Sequence, residues 1–361
     1  MLYNMFIDFF MTKDGNLLHF AYLLFRSFSA LFTSLVLNFL FTSKFINILT
    51  KKNKFQPIRE EGIHLKRHIA TKSKTPTMGG FPILISIVLS LLLWANLQNH
   101  FIWISIFVII AFGVVGLIDD LMKVFWKDTM GFKGSIKIVI QFFIAGSVLI
   151  WLQLADQSYT ETSVMIPFFK TTLNLGIIYL PFAMVIIVGS SNAVNITDGL
   201  DGLVIVPIIM AATALGVLCA TSGSMVLSEY INVPHIEGIA DLAVLSSAII
   251  GSGLAFLWFN IHPAKIFMGD VGSLMLGAVL GVMSIMVKHE IFYAIIGMLF
   301  VIEAMSSIIQ VASWRLFGKR PFKMAPIHHH FEKMGWNEEK IVIRFWIFAL
   351  LCAIIGIAGI I

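Results

Sequence analysis

The feature that most constrains how this chain can fold is a succession of long apolar runs. Ten of them occur, at residues 17–41, 78–96, 101–118, 134–154, 173–191, 202–220, 239–258, 272–288, 291–313 and 341–361. Each can cross a bilayer as a helix, which takes about 17–25 residues. Only helices and closed barrels satisfy every backbone group in lipid, and the sequence lacks the alternating segments of a barrel. We therefore predict an all-α polytopic integral membrane protein with about ten transmembrane helices, forming one domain over 1–361.

The charge content rules out a water-soluble fold. Only 12% of the residues are charged and 58% are apolar, whereas soluble domains carry about a quarter charged residues. The two cysteines, Cys219 and Cys352, lie inside apolar runs without metal-ligand spacing. We interpret them as packing residues, so neither a disulfide framework nor a zinc site is expected.

The distribution of lysine and arginine predicts the orientation. With ten crossings, the connections on one side hold 21 of the 25 Lys and Arg residues. Cytoplasmic connections carry such an excess. We therefore predict that this side is cytoplasmic and that both termini lie on the opposite side. The polar clusters whose residues could take part in catalysis fall on the same side, which predicts an active site at the cytoplasmic face.

The first cluster is Asp119-Asp120, which follows Gly116-Leu117-Ile118 at the end of the third run. Two carboxylates at a helix C-terminus face a dipole that is already negative. A pair between Asp119 and Lys123, four residues later, is worth only about 0.2–0.5 kcal/mol. A hard cation such as Mg²⁺ accepts carboxylate oxygens and keeps waters for a phosphate ligand. We favour a magnesium site, and a solvated helix end is the alternative.

Two further acidic segments lie at the ends of later runs. Residues 190–202 carry Asn192, Asn195, Asp198 and Asp201 among glycines, a composition that can surround a polar ligand such as a nucleotide. Alternatively, Asp201 caps the next helix. Asp270 opens the eighth run, where it either caps that helix or binds the metal.

Histidines and lysines complete this face. Consecutive side chains in a loop point in different directions, so His328, His329 and His330 argue against a three-histidine metal cage. Donation to phosphate oxygens fits imidazoles better, with a solvated loop as the alternative. The lysines at the helix ends fit either anionic lipid or an anionic substrate. Within the runs, Arg26 is expected to extend outward, whereas Glu303 must face protein or water and has no assigned role.

These groups together suit metal-assisted phosphoryl transfer, in which a protein mainly positions groups and neutralises charge. The position at the lipid–water boundary predicts a lipid phosphate as one substrate and a soluble donor as the other. At these residues the sequence resembles the polyprenyl-phosphate N-acetylhexosamine-1-phosphate transferases. The matching stretches are 75–80, 119–120, 192–202, 260–273 and 326–332, in order over nearly the whole chain. The triple histidine and the Thr-Pro-Thr-Met-Gly-Gly stretch favour the muramoyl branch.

The resemblance implies transfer of phospho-MurNAc-pentapeptide from UDP-MurNAc-pentapeptide to undecaprenyl phosphate, giving lipid I and UMP for peptidoglycan. It implies Mg²⁺ as cofactor, a bacterial inner membrane location, membrane lipid contacts, a homodimer and no nucleic acid partner. Direct attack by the lipid phosphate is preferred to a covalent aspartyl intermediate. A related GlcNAc-1-phosphate transferase and, in a different class, a membrane transporter are the alternatives.

The resemblance also assigns roles to individual residues. Asp119 would be the base, Asp120 would support it, and Asp270 would bind the metal, with Asp119 and Asp120 as further metal ligands. His329 completes the catalytic set. The substrate-binding residues would be Lys72, Thr77, Lys123, Lys137, Asn192, Asn195, Asp198, Leu200, Asp201, Asn260, Phe267, Gly269, His328 and His330.

Overall fold

A computed structural model describes residues 2–3, 16–51, 75–125, 132–155, 159, 162–169 and 171–360. Within them the chain forms thirteen α-helices and one two-stranded antiparallel hairpin. The helices are α1 (Asn16–Lys51), α2 (Gly80–Trp94), α3 (His100–Phe125), α4 (Gly134–Ala155), α5 (Tyr179–Thr197), α6 (Ile205–Ser222), α7 (Met225–Ile231), α8 (Leu242–Asn260), α9 (Gly269–Met286), α10 (Glu290–Ile296), α11 (Met298–Phe317), α12 (Ile327–Lys333) and α13 (Glu338–Ala358). The strands are β1 (Ser163–Ile166) and β2 (Thr171–Asn174).

The prediction of a polytopic helical membrane protein is confirmed. In the described part of the chain, nine helices are long and apolar enough to cross a membrane. The helix of the second run, α2, is apolar but has only 15 residues. The side on which each terminus lies stays a prediction.

Two runs differ from their predicted extent. The run 291–313 is divided, because α10 ends at Ile296 and α11 begins after Gly297. The run that starts at residue 173 first completes the hairpin, in which Ser163 pairs with Asn174 and Ile166 with Thr171. Polar and β-branched residues such as Thr171 favour this extended start. The helix α5 therefore begins only at Tyr179.

The centre of the bundle is α9, whose sixteen residues from Val271 to Met286 are all buried. It packs against α3, α5, α2 and α6. Glycines permit the close contacts, as is common where helices pack in membranes. A Cβ on Gly277 would lie 2.6 Å from the Ser190 carbonyl oxygen of α5, and one on Gly80 would lie 2.0 Å from the Gly272 nitrogen. The N-terminus of α9 is thereby held against the start of α2.

The expectation that Arg26 extends outward is wrong. Arg26 is buried, and its Nη1 lies 2.7 Å from Oδ1 of Asp241. Asn99 Nδ2 donates to the other Asp241 oxygen at 2.9 Å, and the Arg26 guanidinium lies 4.8 Å from the ring centroid of Tyr22. Inside a bundle, a buried charge is tolerated when an oppositely charged partner lies beside it, and Asp241 is that partner for Arg26.

Candidate active site

Three aspartates from two helices meet at one end of the bundle. Ligand atoms of Asp119, Asp120 and Asp270 all lie within 4.8 Å of one another. The two helices approach here because position 116 is glycine, where a Cβ would lie 2.3 Å from the Asp270 carbonyl oxygen. A larger residue would force α3 away from α9 and separate the carboxylates.

Asp120 is bound to the N-terminus of α9. Its Oδ1 accepts a hydrogen bond from the Asp270 backbone N–H and its Oδ2 one from Val271, both at 3.2 Å. A helix N-terminus favours an anion, because its first N–H groups have no partner within the helix. Gly269 has φ +74°, and a Cβ on it would lie 2.5 Å from Asp120 Oδ2. Glycine is therefore required there by both backbone conformation and space.

Two lysines join Asp119 to Asp270. Lys137 Nζ donates to Asp270 Oδ2 at 2.6 Å, and Lys123 Nζ lies 3.3 Å from the same oxygen. Lys123 Nζ also lies 2.5 Å from Asp119 Oδ2, and the Phe132 N–H donates to Asp119 Oδ1 at 2.7 Å. The alternative paired Asp119 with Lys123 at a solvated helix end. The pair is present, but the helix end is wrong, because α3 continues to Phe125 and Asp119 is only 2% exposed.

The two asparagines lie on the last turns of α5 rather than in a loop. Asn195 Nδ2 donates to Asp270 Oδ1 at 2.9 Å and to Ser273 Oγ at 2.8 Å. Asn192 Nδ2 donates to Gln141 Oε1 at 2.6 Å. Asn195 therefore belongs to the aspartate cluster, and it fixes the oxygen of Asp270 that faces α5.

Asp198 follows directly after α5. Burial, together with the negative charges of Asp270 and Asp201, raises the pKa of the Asp198 carboxyl to about 7. Charged groups that lose water to protein favour their neutral form. Asp198 can therefore change its charge near neutral pH.

Asp201 does not cap the next helix, because α6 begins only at Ile205 after Val204. The capping alternative is wrong. Asp201 Oδ2 instead lies 3.0 Å from His262 Nδ1 and accepts from the Ala264 N–H at 3.1 Å. The Asp201 N–H donates to Glu338 Oε1 at 2.9 Å. These contacts make Asp201 the junction between its own loop, the segment before α9 and the start of α13.

Backbone hydrogen bonds join the stretch 75–80 to the segment before α9. The Phe267 N–H donates to the Pro76 oxygen at 2.9 Å, and the Gly79 N–H donates to the Phe267 oxygen at 2.8 Å. Asn260 supports the same segment, since its Nδ2 donates to the Ile266 oxygen at 2.8 Å. The Thr77 hydroxyl is buried without a hydrogen-bond partner among the described residues. Lys72 lies outside the described residues.

Leu200 occupies a different environment from its predicted neighbours. It is 6% exposed and belongs to an apolar cluster with Leu299, Ile341 and Phe345. The side chain thus attaches the loop to α11 and α13. A ligand of this loop would meet the Leu200 backbone rather than its side chain.

The three histidines lie on α12 and point to three different partners. His328 Nδ1 lies 3.0 Å from Glu303 Oε2, and His329 Nδ1 contacts the Glu332 carboxylate. His330 Nδ1 accepts from the Lys323 N–H at 3.0 Å. The predicted divergence is confirmed, and the solvated-loop alternative is wrong because the segment is helical and His328 is fully buried.

A basic cavity of about 530 Å³ lies beside α12. Its lining includes Arg315, Arg320, Lys323 and Lys333, together with the indole of Trp314. Cavities of this volume accept small-molecule ligands, and four cationic side chains favour an anionic one. Lys323 connects this cavity to the histidine helix through His330.

The carboxylates fit a hard divalent cation. Asp119, Asp120 and Asp270 provide oxygen ligands at distances that one ion can bridge, and oxygen ligands are those that Mg²⁺ prefers. Lys123 and Lys137 contact the same oxygens of Asp119 and Asp270. Their ammonium groups neutralise part of the negative charge on these oxygens. Either cation type can therefore offset the acidic charge.

Several contacts of this site were not predicted from the sequence. Gln141, Ser273, His262, Glu332 and Glu338 each bond to a predicted residue, yet each is an ordinary polar residue in sequence. Glu303 alone carried a signal, because an ionisable residue inside an apolar run is costly and rarely incidental.

Comparisons with known proteins identify the family to which this chain belongs. A family model, Glycosyl transferase family 4, matches residues 102–288, more than half of the chain. Three relatives, each called phospho-N-acetylmuramoyl-pentapeptide-transferase, are similar over nearly full length. That of Maricaulis maris is 48% identical over 99% of both chains, and those of Dinoroseobacter shibae and Pelagibacter ubique are each 47% identical over 94% of both chains. The chain belongs to this family of membrane transferases.

Proposed function

We propose that the protein transfers phospho-MurNAc-pentapeptide from UDP-MurNAc-pentapeptide to undecaprenyl phosphate, giving lipid I and UMP. The observation that carries this proposal is the lysine-bridged cluster of Asp119, Asp120 and Asp270 at the end of a membrane bundle. The names and full-length similarity of the relatives support the substrates.

In the proposed reaction, an oxygen of the lipid phosphate attacks the donor phosphorus that bears the sugar. A new P–O bond forms, the bond to the bridging oxygen breaks, and UMP leaves with that oxygen. Asp119, which Lys123 and the Phe132 N–H hold at the cluster, accepts the proton of the attacking phosphate. Lys123 and Lys137 neutralise negative charge that develops during transfer.

Asp270, Asp119 and Asp120 would hold Mg²⁺, which supplies charge neutralisation to the diphosphate when bound. Asn195 donates to Asp270 Oδ1 and Lys137 donates to its Oδ2, so both contacts hold the carboxylate in place. His329 and His330 would face the diphosphate or the sugar of the donor.

The donor nucleotide would be held by the loop after α5 and by the segment before α9. The residues are Asn192, Asp198, Leu200, Asp201, Asn260, Phe267 and Gly269, with Lys72 and Thr77 from the stretch before α2. The bonds of Asp201 and Asn260 to both segments support one rigid cradle. The basic cavity beside α12 suits the carboxylates of the donor peptide.

We further propose that this end of the bundle faces the cytoplasm at a bacterial inner membrane, with both termini periplasmic. The excess of Lys and Arg in the connections supports that orientation. A homodimer stays a prediction of the family resemblance.

The decisive test is an assay of the purified protein with radiolabelled UDP-MurNAc-pentapeptide and undecaprenyl phosphate. We expect labelled lipid I and an equal amount of UMP, both lost with EDTA and restored by Mg²⁺. Preference for UDP-GlcNAc in parallel reactions would contradict the proposed donor. Release of UMP without a labelled lipid would contradict the proposed acceptor.

A further inference from the structure

A buried glutamate on α11 binds the first histidine of α12. Glu303 Oε2 lies 3.0 Å from His328 Nδ1, and both side chains are at most 1% exposed. Glu303 lies within the membrane-spanning helix Met298–Phe317. An ionisable side chain at such a place loses its water, and this cost is tolerated mainly where the group has a defined partner and role.

The hydrogen bond fixes the orientation of the imidazole ring. An ionised carboxylate only accepts, so with Glu303 ionised Nδ1 is the nitrogen that carries the proton in this pair. The other ring nitrogen, Nε2, is buried and has no hydrogen-bond partner among the described residues. Glu303 thus determines which edge of His328 faces away from α11.

That free edge lies against the loop between α5 and α6. A Cβ on Gly199 would lie 2.2 Å from His328 Nε2 and 2.8 Å from its Cε1. The ring therefore fills the space that a side chain at position 199 would need. Gly199 itself is exposed on the surface of the protein, so its contact with His328 covers the ring from outside.

Apolar packing reinforces the same contact. Leu200, the next residue of the loop, belongs to the cluster of Leu299 and Phe345, and Ile327 and Phe331 of α12 pack against that cluster. Asp198 and Asp201 flank Gly199 and Leu200 in the loop. The position of these two carboxylates consequently depends on where α12 lies.

We propose that Glu303 is a positioning residue: by orienting His328 against Gly199, it holds the loop from Asp198 to Asp201 in its donor-binding position. The inference rests on the proposed function in one respect, because that function makes this loop part of the donor site. It predicts that Glu303 affects donor binding without touching the donor.

The test measures kcat and the KM values of donor and acceptor for Glu303→Gln. The matched control is Glu290→Gln. Glu290 is 1% exposed and accepts from the Tyr179 hydroxyl at 2.8 Å, at the opposite end of α5 from Asn195. We expect the donor KM of Glu303→Gln to rise about tenfold, because the glutamine oxygen still accepts from Nδ1 but lacks the charge that strengthens the hydrogen bond. The acceptor KM of Glu303→Gln should not change, and neither should the ratio of the donor KM to the acceptor KM in the control Glu290→Gln.

Two further variants keep the test independent of folding. Gly199→Ala keeps Glu303 and His328 but places a Cβ against the ring, which separates the loop from His328, and we expect it to raise the donor KM in the same way. The double variant Glu303→Gln/His328→Asn should cost no more than the worse single variant, because both remove one interaction.

An unchanged donor KM in Gly199→Ala, or in a folded Glu303→Gln, would overturn the inference. Equal increases in both KM values, with a melting temperature lowered as in Glu290→Gln, would also overturn it by showing a purely structural role. Failure of the wild-type protein to produce lipid I would instead contradict the proposed function.

Discussion

The two ends of the helix bundle both bury charged residues, but they balance the charges differently. At the end with Arg26, one guanidinium faces one carboxylate of Asp241, and Asn99 satisfies the remaining oxygen. At the other end, ion pairs join Asp119 and Asp270 to Lys123 and Lys137, and a carboxylate oxygen of Asp120 lies within 4.8 Å of theirs. The first arrangement matches one positive charge with one negative charge, whereas the second sets three carboxylates against two lysines among the described residues. The comparison distinguishes buried charge that holds helices together from buried charge that is available to a ligand.

The largest expected effect is that of Asp270→Asn. The variant keeps the shape of the side chain but removes the charge that both lysines contact. We expect transfer to fall by about 10³-fold or more, the range for loss of a principal catalytic group. UMP release per folded molecule measures it. Wild-type turnover in this variant would remove Asp270 from the reaction.

The effect of Mg²⁺ on the melting temperature tests whether the aspartate cluster binds a cation, without an activity assay. A ligand that binds only the folded state raises the melting temperature by mass action. We expect Mg²⁺ to raise the melting temperature of the wild-type protein and to have no effect on Asp270→Asn. An equal rise in both proteins would place the ion elsewhere.

Lys137→Gln should have the next largest effect. It removes the 2.6 Å contact to Asp270 and leaves Lys123 as the remaining lysine between the carboxylates. We expect kcat to fall about 10²-fold, as for loss of one electrostatic stabiliser of the transition state. Lys133→Gln, an exposed position four residues earlier, is the control and should retain the wild-type kcat.

Arg26→Met tests the opposite end. Removing one partner of a buried ion pair leaves Asp241 uncompensated and costs about 3–5 kcal/mol of stability. We expect a lower melting temperature with unchanged kcat per folded molecule. A large loss of kcat at an unchanged melting temperature would break the distinction between the two ends.

The smallest effect concerns Asp198 and pH. The pKa of this carboxyl is raised to about 7 in the folded protein, above about 3.9 in the unfolded chain. A raised pKa favours the neutral form, so its stabilising contribution is complete below pH 4 and is lost as the pH rises through 7. Asp198→Asn stays neutral, and its melting temperature should therefore exceed that of wild type increasingly between pH 4 and 7. An identical pH dependence of the two melting curves would contradict this reading.

The helices could be predicted from the sequence because lipid imposes a simple rule. A run of about 20 apolar residues has to be a helix, and the rule holds for α1 as for α13. It fails at Gly297, where one run becomes two helices. Hydrophobicity alone does not predict where a helix is interrupted within an apolar run.

The candidate site was predictable only in part. The acids stood out, since Asp119, Asp120 and Asp270 are charged residues at the ends of apolar runs. The partners did not, because tertiary contacts decide them. Glu303 and His328 are 25 positions apart, in two helices. Their bond depends on how α12 folds back, which no local pattern encodes.

The burial of α9 has a consequence for how the protein responds to its membrane. Lipid does not reach the stretch from Val271 to Met286, so the helix that carries Asp270 is surrounded by protein along that length. Bilayers of different thickness tilt or shift helices that touch them. A change in bilayer thickness therefore acts on Asp270 only through the helices around α9. This shielding would keep Asp270 at a constant depth while the surrounding lipid changes.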